Sequence, residues 1–209
     1  MARLVLASAS PRRKELLARL GVRFDVRPVD IAEDAGSSKD PQIVARRLAR
    51  AKAEAARLSD EHAPILAADT VVALDGRIFG KPADAGQARE MLRTLRGRTH
   101  QVVTAVAVMP LGRRSVIARH PVTEVTMREY ADDEIEASVA RADPLDKAGA
   151  YGIQDELLRP VARYEGCYCN VVGLSLWSAI EALRRAGEEV GADAVDFLPQ
   201  CQACPLART

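Results

Sequence analysis

No run of this chain is apolar for the roughly 20 residues that a membrane-spanning helix needs, and the N-terminus lacks the long apolar core of a signal peptide. A cytoplasmic protein with no membrane partner is therefore expected. A surplus of one charge is missing too. Thirty Lys and Arg stand against 29 Asp and Glu, which leaves no general basic field to hold a nucleic acid polymer, so any anion binding has to be local. Cysteine is absent until Cys167 and then appears four times, at Cys167, Cys169, Cys201 and Cys204, as CYC and CQAC. A disulfide framework is not expected in a chain of this length in a reducing compartment. A CxC with a CxxC has zinc-ligand character, but the unequal spacing favours a CYC of no special role and a loose cysteine-bearing tail. His62, His100 and His120 form no pair at metal-ligand spacing. There is no G-x-x-x-x-G-K-[ST], no G-x-G-x-x-G and no G-x-S-x-G, which removes P-loop, dinucleotide-binding and α/β-hydrolase readings. Internal repeats are absent as well.

What is present is a chain of 209 residues, 48% hydrophobic and 28% charged, enough to bury a full core. Leu4 to Ala7 suit a buried strand, Ser10 suits a helix N-cap, and Pro11 has the fixed φ favoured at the first helical position. Leu16, Leu17 and Leu20 share one helical face, with Gly21 as the stop. Arg12, Arg13 and Lys14 then fall in the first turn, where the positive end of the helix dipole disfavours each cation by roughly 0.3 to 1 kcal/mol. An anion nearby would account for them. With Ser8 and Ser10 they could form a phosphate cradle.

Further along, residues 22–26 alternate as a half-buried strand, and residues 30–40 read as an acidic loop. A helix follows from Pro41 to about Ser59, with Val44, Leu48, Ala51, Ala55 and Leu58 on its apolar face and Lys52 beside it. Residues 64–82 read as a central strand, a turn at Asp75 and Gly76, and a short return strand. Asp84 caps a helix carrying Ala88, Met91, Leu92 and Leu95; a strand follows at 99–109, and its partner is interrupted by Pro121. After a helix over about 133–141 come a glycine-punctuated stretch at 145–154, a final amphipathic helix at 174–187, and a tail of little periodicity. Strands alternating with helices and then forming hairpins predict a mixed sheet with helices on its faces.

Within that frame Asp69 stands out. It interrupts ILAADTVVAL, and an unpaired carboxylate in a buried strand costs several kcal/mol, so it requires a partner, a metal or an open strand end. Lys52, Lys81 and the loop residue Glu33 are weaker candidates alone. Cations with a carboxylate suit metal-assisted attack of water on phosphorus.

SASPRRKELL (8–17), AADTVV (67–72), GKP (80–82), GRTHQVVTAVAV (97–108), DKAGAYGIQ (146–154) and NVVGL (170–174) together resemble the Maf family of nucleoside triphosphate pyrophosphatases, in order and over about residues 3–187. The resemblance implies an α/β fold related to the inosine triphosphate pyrophosphatases: a mixed twisted sheet with flanking helices, in two lobes around a cleft. One such domain would cover 1–190, followed by a loosely held tail at 191–209. The resemblance also implies cleavage between the α and β phosphates of a nucleotide, a divalent cation (Mg2+, Mn2+ or Co2+) and a homodimer.

DKAGAYGIQ with SPRR resembles the dTTP/UTP pyrophosphatase branch, with CTP or modified pyrimidine nucleotides as further substrates. Carried over by position, Asp69 matches the proton acceptor, and Arg12, Thr70 and Gln154 match positions of substrate choice. Ser8, Arg13, Lys52 and Lys81 match phosphate contacts, and Glu33, with Asp69, the metal position. The chain departs from the family pattern at Asp155 and Glu156, which place negative charge beside Gln154, at Ser175 in GLSL, and in the CQAC tail. A non-catalytic nucleotide-sensing regulator of septum formation is the alternative reading.

Overall fold

The computed structural model describes residues 3–31, 38–59, 62–113, 115–191, 196–202 and 204–208. The chain opens with β1 (Leu4–Leu6), α1 (Pro11–Ala18) and β2 (Phe24–Val26), followed by α2 (Pro41–Ser59), and then the hairpin β3 (Ile65–Leu74) and β4 (Arg77–Phe79). Next are α3 (Ala85–Leu95), β5 (Thr99–Met109), β6 (Ile117–Arg119), β7 (Val122–Met127) and α4 (Asp132–Ala140). Two short 3-10 turns, Asp143–Asp146 and Ala148–Ala150, lead to β8 (Val161–Glu165), α5 (Tyr168–Val172), α6 (Leu176–Arg185) and α7 (Pro199–Gln202). The strands form one eight-stranded mixed sheet in the order β2-β1-β3-β5-β7-β8, with β4 beside β3 and β6 beside β5. β1 runs parallel to β2 and β3, and the remaining pairs are antiparallel, so the mixed α/β sheet with flanking helices is as expected.

Burial follows the pleat. Alternate residues of β1, β3 and β5 face two apolar layers: Leu6, Leu66, Ala68 and Val106 lie under α1 and α6, while Ala67, Val71, Val103 and Ala105 lie under α2. A third layer, around Leu92, Leu95, Tyr130 and Ile135, closes the other end beneath α3 and α4. On α2 the buried side is Val44, Ala45, Leu48, Ala49, Ala53 and Ala56, rotated from the expected face, and Ala51 and Ala55 are only half-buried. Alanines carry little face information in the sequence, and this helix meets the sheet through them. The rotation brings Lys52 inward.

Two features differ from the sequence reading. β8 was not legible, because its residues VARYE are mostly exposed and it pairs only with β7. The tail is not loose: among its described residues the Trp177 ring stacks on Phe197 at 4.4 Å, the Asp196 amide donates to the Arg19 carbonyl at 2.7 Å, and Cys201 and Cys204 are buried. Its partners lie far away in sequence, so the lack of local periodicity did not reveal them.

Candidate active site

The site grows out of an incomplete pairing. β5 covers one edge of β3 from Ile65 to Ala73, whereas the other edge carries β1 only at Ile65 and Leu66 and β4 only from Val72 to Leu74. Between them, Ala67 to Val71 have no strand partner on that edge among the described residues. A cavity of about 740 Å³ lies there, lined by the β1–α1 loop, α2, the start of the 80–81 loop, residues 146–154 and Gly173. Asp69 is in the middle of β3, not at a strand end, and of the three things its lone charge called for the structure supplies a partner, at the strand's open edge. Only 5% of it is exposed, and its Oδ1 accepts from the Lys52 Nζ that α2 turns inward. Asp69 is buried and the Lys52 side chain is only 11% exposed, so each charge depends on the other.

The α1 cations divide. Ser10 caps the helix, its Oγ accepting from the Arg13 amide, and no acidic residue occupies the first turn. Arg13 donates from Nε to the Gly173 carbonyl (2.9 Å), and from its two terminal nitrogens to Ser8 Oγ (3.3 Å) and Thr70 Oγ1 (3.0 Å). These contacts hold its guanidinium as a fixed fork against the cavity. Arg12 donates to Asp146 Oδ2 (2.9 Å), and Lys147 donates to Asp146 Oδ1 (2.8 Å). Burial pushes Asp146 up, but the Lys147 hydrogen bond and the Arg12 charge outweigh it and hold the carboxyl below the usual carboxylate range. Lys14 is exposed and away from the cavity.

Ser8, Arg12, Arg13, Lys52, Asp69, Thr70, Lys81 and Gln154 all line this one cavity, Lys81 and Gln154 being exposed. Glu33 lies outside the described residues. Of the two charges added beside Gln154, Asp155 is turned aside: it pairs with Arg141 at 3.1 Å and accepts from the Leu157 and Leu158 amides, so it is no part of the cavity wall, while Glu156 is exposed. Ser175 in GLSL is buried and caps α6 through the Ser178 amide.

Sequence reasoning assigned no role to the groups behind this wall. β7 pairs with β5 up to Val103 and β6 takes over at Val106, which leaves the Thr104 amide in a break between strands. Asn170 fills the break: its Oδ1 accepts from the Thr104 amide (2.8 Å), and its Nδ2 donates to the Val102 carbonyl (2.8 Å) and Thr123 Oγ1 (2.9 Å). The Thr104 hydroxyl donates to the Asn170 carbonyl and lies 2.9 Å from Thr70 Oγ1, so a buried polar chain runs from Asn170 to Arg13. An amide in the apolar run NVVGL was the available signal, of the same kind that singled out Asp69. Tyr151, on the cavity wall, is hydrogen-bonded at 2.7 Å to His100 Nε2.

Together these define a mixed α/β protein with one cation-lined cleft around a buried carboxylate. The model of the Maf-like protein family matches residues 3–186, and the chain belongs to that family. It is 52% identical over 206 residues to a dTTP/UTP pyrophosphatase of Thermomicrobium roseum, covering 98% of this chain and 94% of that protein. A dTTP/UTP pyrophosphatase of Moorella thermoacetica is 49% identical over 192 residues, covering 91% and 98%. Among solved structures, a nucleoside-triphosphatase (dITP/XTP pyrophosphatase) of Mycobacterium abscessus covers 88% of this chain and 95% of its own, at 15% identity and a TM-score of 0.47.

Proposed function

We propose that the chain hydrolyses nucleoside triphosphates, dTTP and UTP first, to the monophosphate and pyrophosphate. One observation carries this reading: a nine-tenths-buried carboxylate and the Lys52 ammonium stand at an open strand edge, in a cavity whose wall presents Arg12, Arg13 and Lys81 to a polyanion. Family membership and the activities for which the relatives are named support it.

In this reading Arg13, held by Gly173, Ser8 and Thr70, turns its charge to the phosphates, and Lys81 meets them from the other rim. Arg12, already on Asp146, is positioned with Gln154 and Thr70 to choose the substrate. Asp69 takes the proton from the attacking water, and Lys52 keeps the carboxylate charged and aimed until it does. Bond formation at the α phosphorus then expels pyrophosphate, whose developing charge the arginines and Lys81 offset.

The donor set suits a hard divalent cation. Among the described residues no three His, Cys, Asp or Glu side chains enclose a metal, and Mg2+ is commonly held by one or two carboxylates together with substrate phosphates. Asp69 would hold it, with Glu33 as the second carboxylate; Mg2+, Mn2+ or Co2+ would supply charge neutralisation at the phosphates. Homodimerisation and a cytoplasmic setting belong to the same reading. Among the described residues no helix is long and apolar enough to cross a membrane.

The test is pyrophosphate release from dTTP, UTP, CTP and 7-methyl-GTP with each metal, for the native chain and Asp69→Asn. Fast release from dTTP and UTP, with at least about a hundredfold loss in the variant, is expected. Nucleotide binding without turnover would favour the sensing regulator instead.

A further inference from the structure

The buried polar chain behind the cleft admits only one arrangement of its hydrogens. A carbonyl oxygen can only accept and a backbone amide can only donate, so the main chain fixes every link. Asn170 must turn Oδ1 to the Thr104 amide and Nδ2 to the Val102 carbonyl. Thr123 Oγ1 accepts from that Nδ2 and from the Cys167 amide (3.0 Å), and gives its own hydrogen to the Cys167 carbonyl (3.2 Å). The Thr104 hydroxyl gives its one hydrogen to the Asn170 carbonyl at 2.6 Å, so toward Thr70 it can only accept. Thr70 therefore donates to Thr104 and accepts from Arg13. Thr104, Thr123 and Asn170 are fully buried, where a satisfied network of this kind is rigid.

Thr70 is the one member of the three-threonine chain that lines the cavity, and it is only half-buried. Its hydrogen is given to Thr104 and one lone pair is taken by Arg13, which leaves a second lone pair for a ligand. Gly173 leaves that oxygen uncovered on its side: its φ is +125°, and a Cβ there would lie 3.6 Å from both Thr70 Oγ1 and Arg13 Nε. We propose that Thr104, oriented by Asn170, is a positioning residue that makes Thr70 a hydrogen-bond acceptor, and never a donor, toward the cleft. Phosphate oxygens also accept, so Thr70 leaves them to Arg13 and bonds the nucleoside part of the substrate. The inference rests on the proposed function in taking that ligand to be a nucleotide. The chemistry that fits is an N–H of the base or an O–H of the sugar. Thymine and uracil carry an N–H at ring position 3, where cytosine has a lone pair that would face the Thr70 oxygen unpaired.

The experiment measures binding to the full chain by calorimetry, with the α,β-imido analogues of dTTP, dCTP and dideoxythymidine triphosphate, which cannot be cleaved between the α and β phosphates. In the native chain the analogue without the donor should bind at least about tenfold more weakly than that of dTTP: the dCTP form if the base supplies it, the dideoxy form if the sugar does. Thr104→Val keeps the shape but removes the hydroxyl, so the Thr70 hydrogen is free to turn to the cleft. That gap should then shrink to about twofold or less, whereas Thr104→Ser should preserve it. Inorganic tripolyphosphate, which lacks the nucleoside, should bind within about twofold of the native affinity in both variants. A merely loosened cleft would weaken every ligand alike and leave the gap in place. No gap in the native chain, a gap that survives Thr104→Val, or tripolyphosphate weakened as much as the dTTP analogue would each overturn the proposal. Should Thr104→Val not fold, Thr70→Val decides by the same gap, which it should close. Because binding is read rather than turnover, a native chain that shows the gap but releases no pyrophosphate would sink the hydrolytic reading alone.

Discussion

Asp69 and Asn170 are both polar groups in apolar segments, and the structure gives them different work. Asp69 faces the cavity with Lys52 as partner, whereas Asn170 completes the backbone of a broken sheet edge. Asn170→Ala would leave the Thr104 amide and the Val102 carbonyl short of partners, a cost of about 3 kcal/mol that denaturant melts would show, and would loosen Thr70 and Arg13. His100 supplies the pH dependence. It is 2% exposed, and burial lowers its pKa from the ordinary 6.5 to about 4. Between these values the unfolded chain binds a proton that the folded chain does not, so stability rises with pH across the window, by about 3 kcal/mol in total. Urea midpoints at pH 4 and 7 would measure the rise, and His100→Gln should flatten it. At this scale Asp69 and the α1 arginines stood out in the sequence because lone charges in apolar or dipole-opposed settings need a reason, whereas Lys52 was a weak candidate on its own and entered through the family resemblance. Asp146, Thr104 and Asn170 escaped assignment because their reasons are contacts across more than 60 residues.

Among the elements, β3, its hairpin and β5 were readable to within a residue or two, since long apolar runs bounded by turn residues admit few alternatives. α1 was readable from Ser10, Pro11 and three leucines. β8 and α5 were not, being short and mostly exposed in the first case and a single turn in the second. Residues 145–154 resist sequence reading for a physical reason. Gly149 has φ +70°, donates to the Gly80 carbonyl at 3.0 Å, and sits where a Cβ would press on Val72 and Leu95 at 3.2 to 3.3 Å. This contact ties the Lys81 rim to the Gln154 rim. Gly149→Ala should therefore cost roughly 1 to 3 kcal/mol and raise KM more than it lowers kcat, as melts and steady-state kinetics would show.

For the whole molecule, composition and charge pointed to an ordinary globular protein, and the ordered motifs pointed to the Maf family. The packed C-terminal segment was the part misread, because Phe197, Cys201 and Cys204 find their partners only after α1, α5 and α6 are assembled. Ending the chain after Gly191 should uncover that layer and lower the melting temperature by roughly 10 °C. In the proposed function, the stretch of β3 from Ala67 to Val71 that has no strand partner on one edge among the described residues sets Asp69 against the α phosphate of a triphosphate. Phosphorus-31 NMR of dTTP incubated with the protein and Mg2+ tests it most directly. The expected products are dTMP and pyrophosphate, with Asp69→Asn slower by about a hundredfold or more. Formation of dTDP and inorganic phosphate, or equal rates in the two proteins, would contradict it.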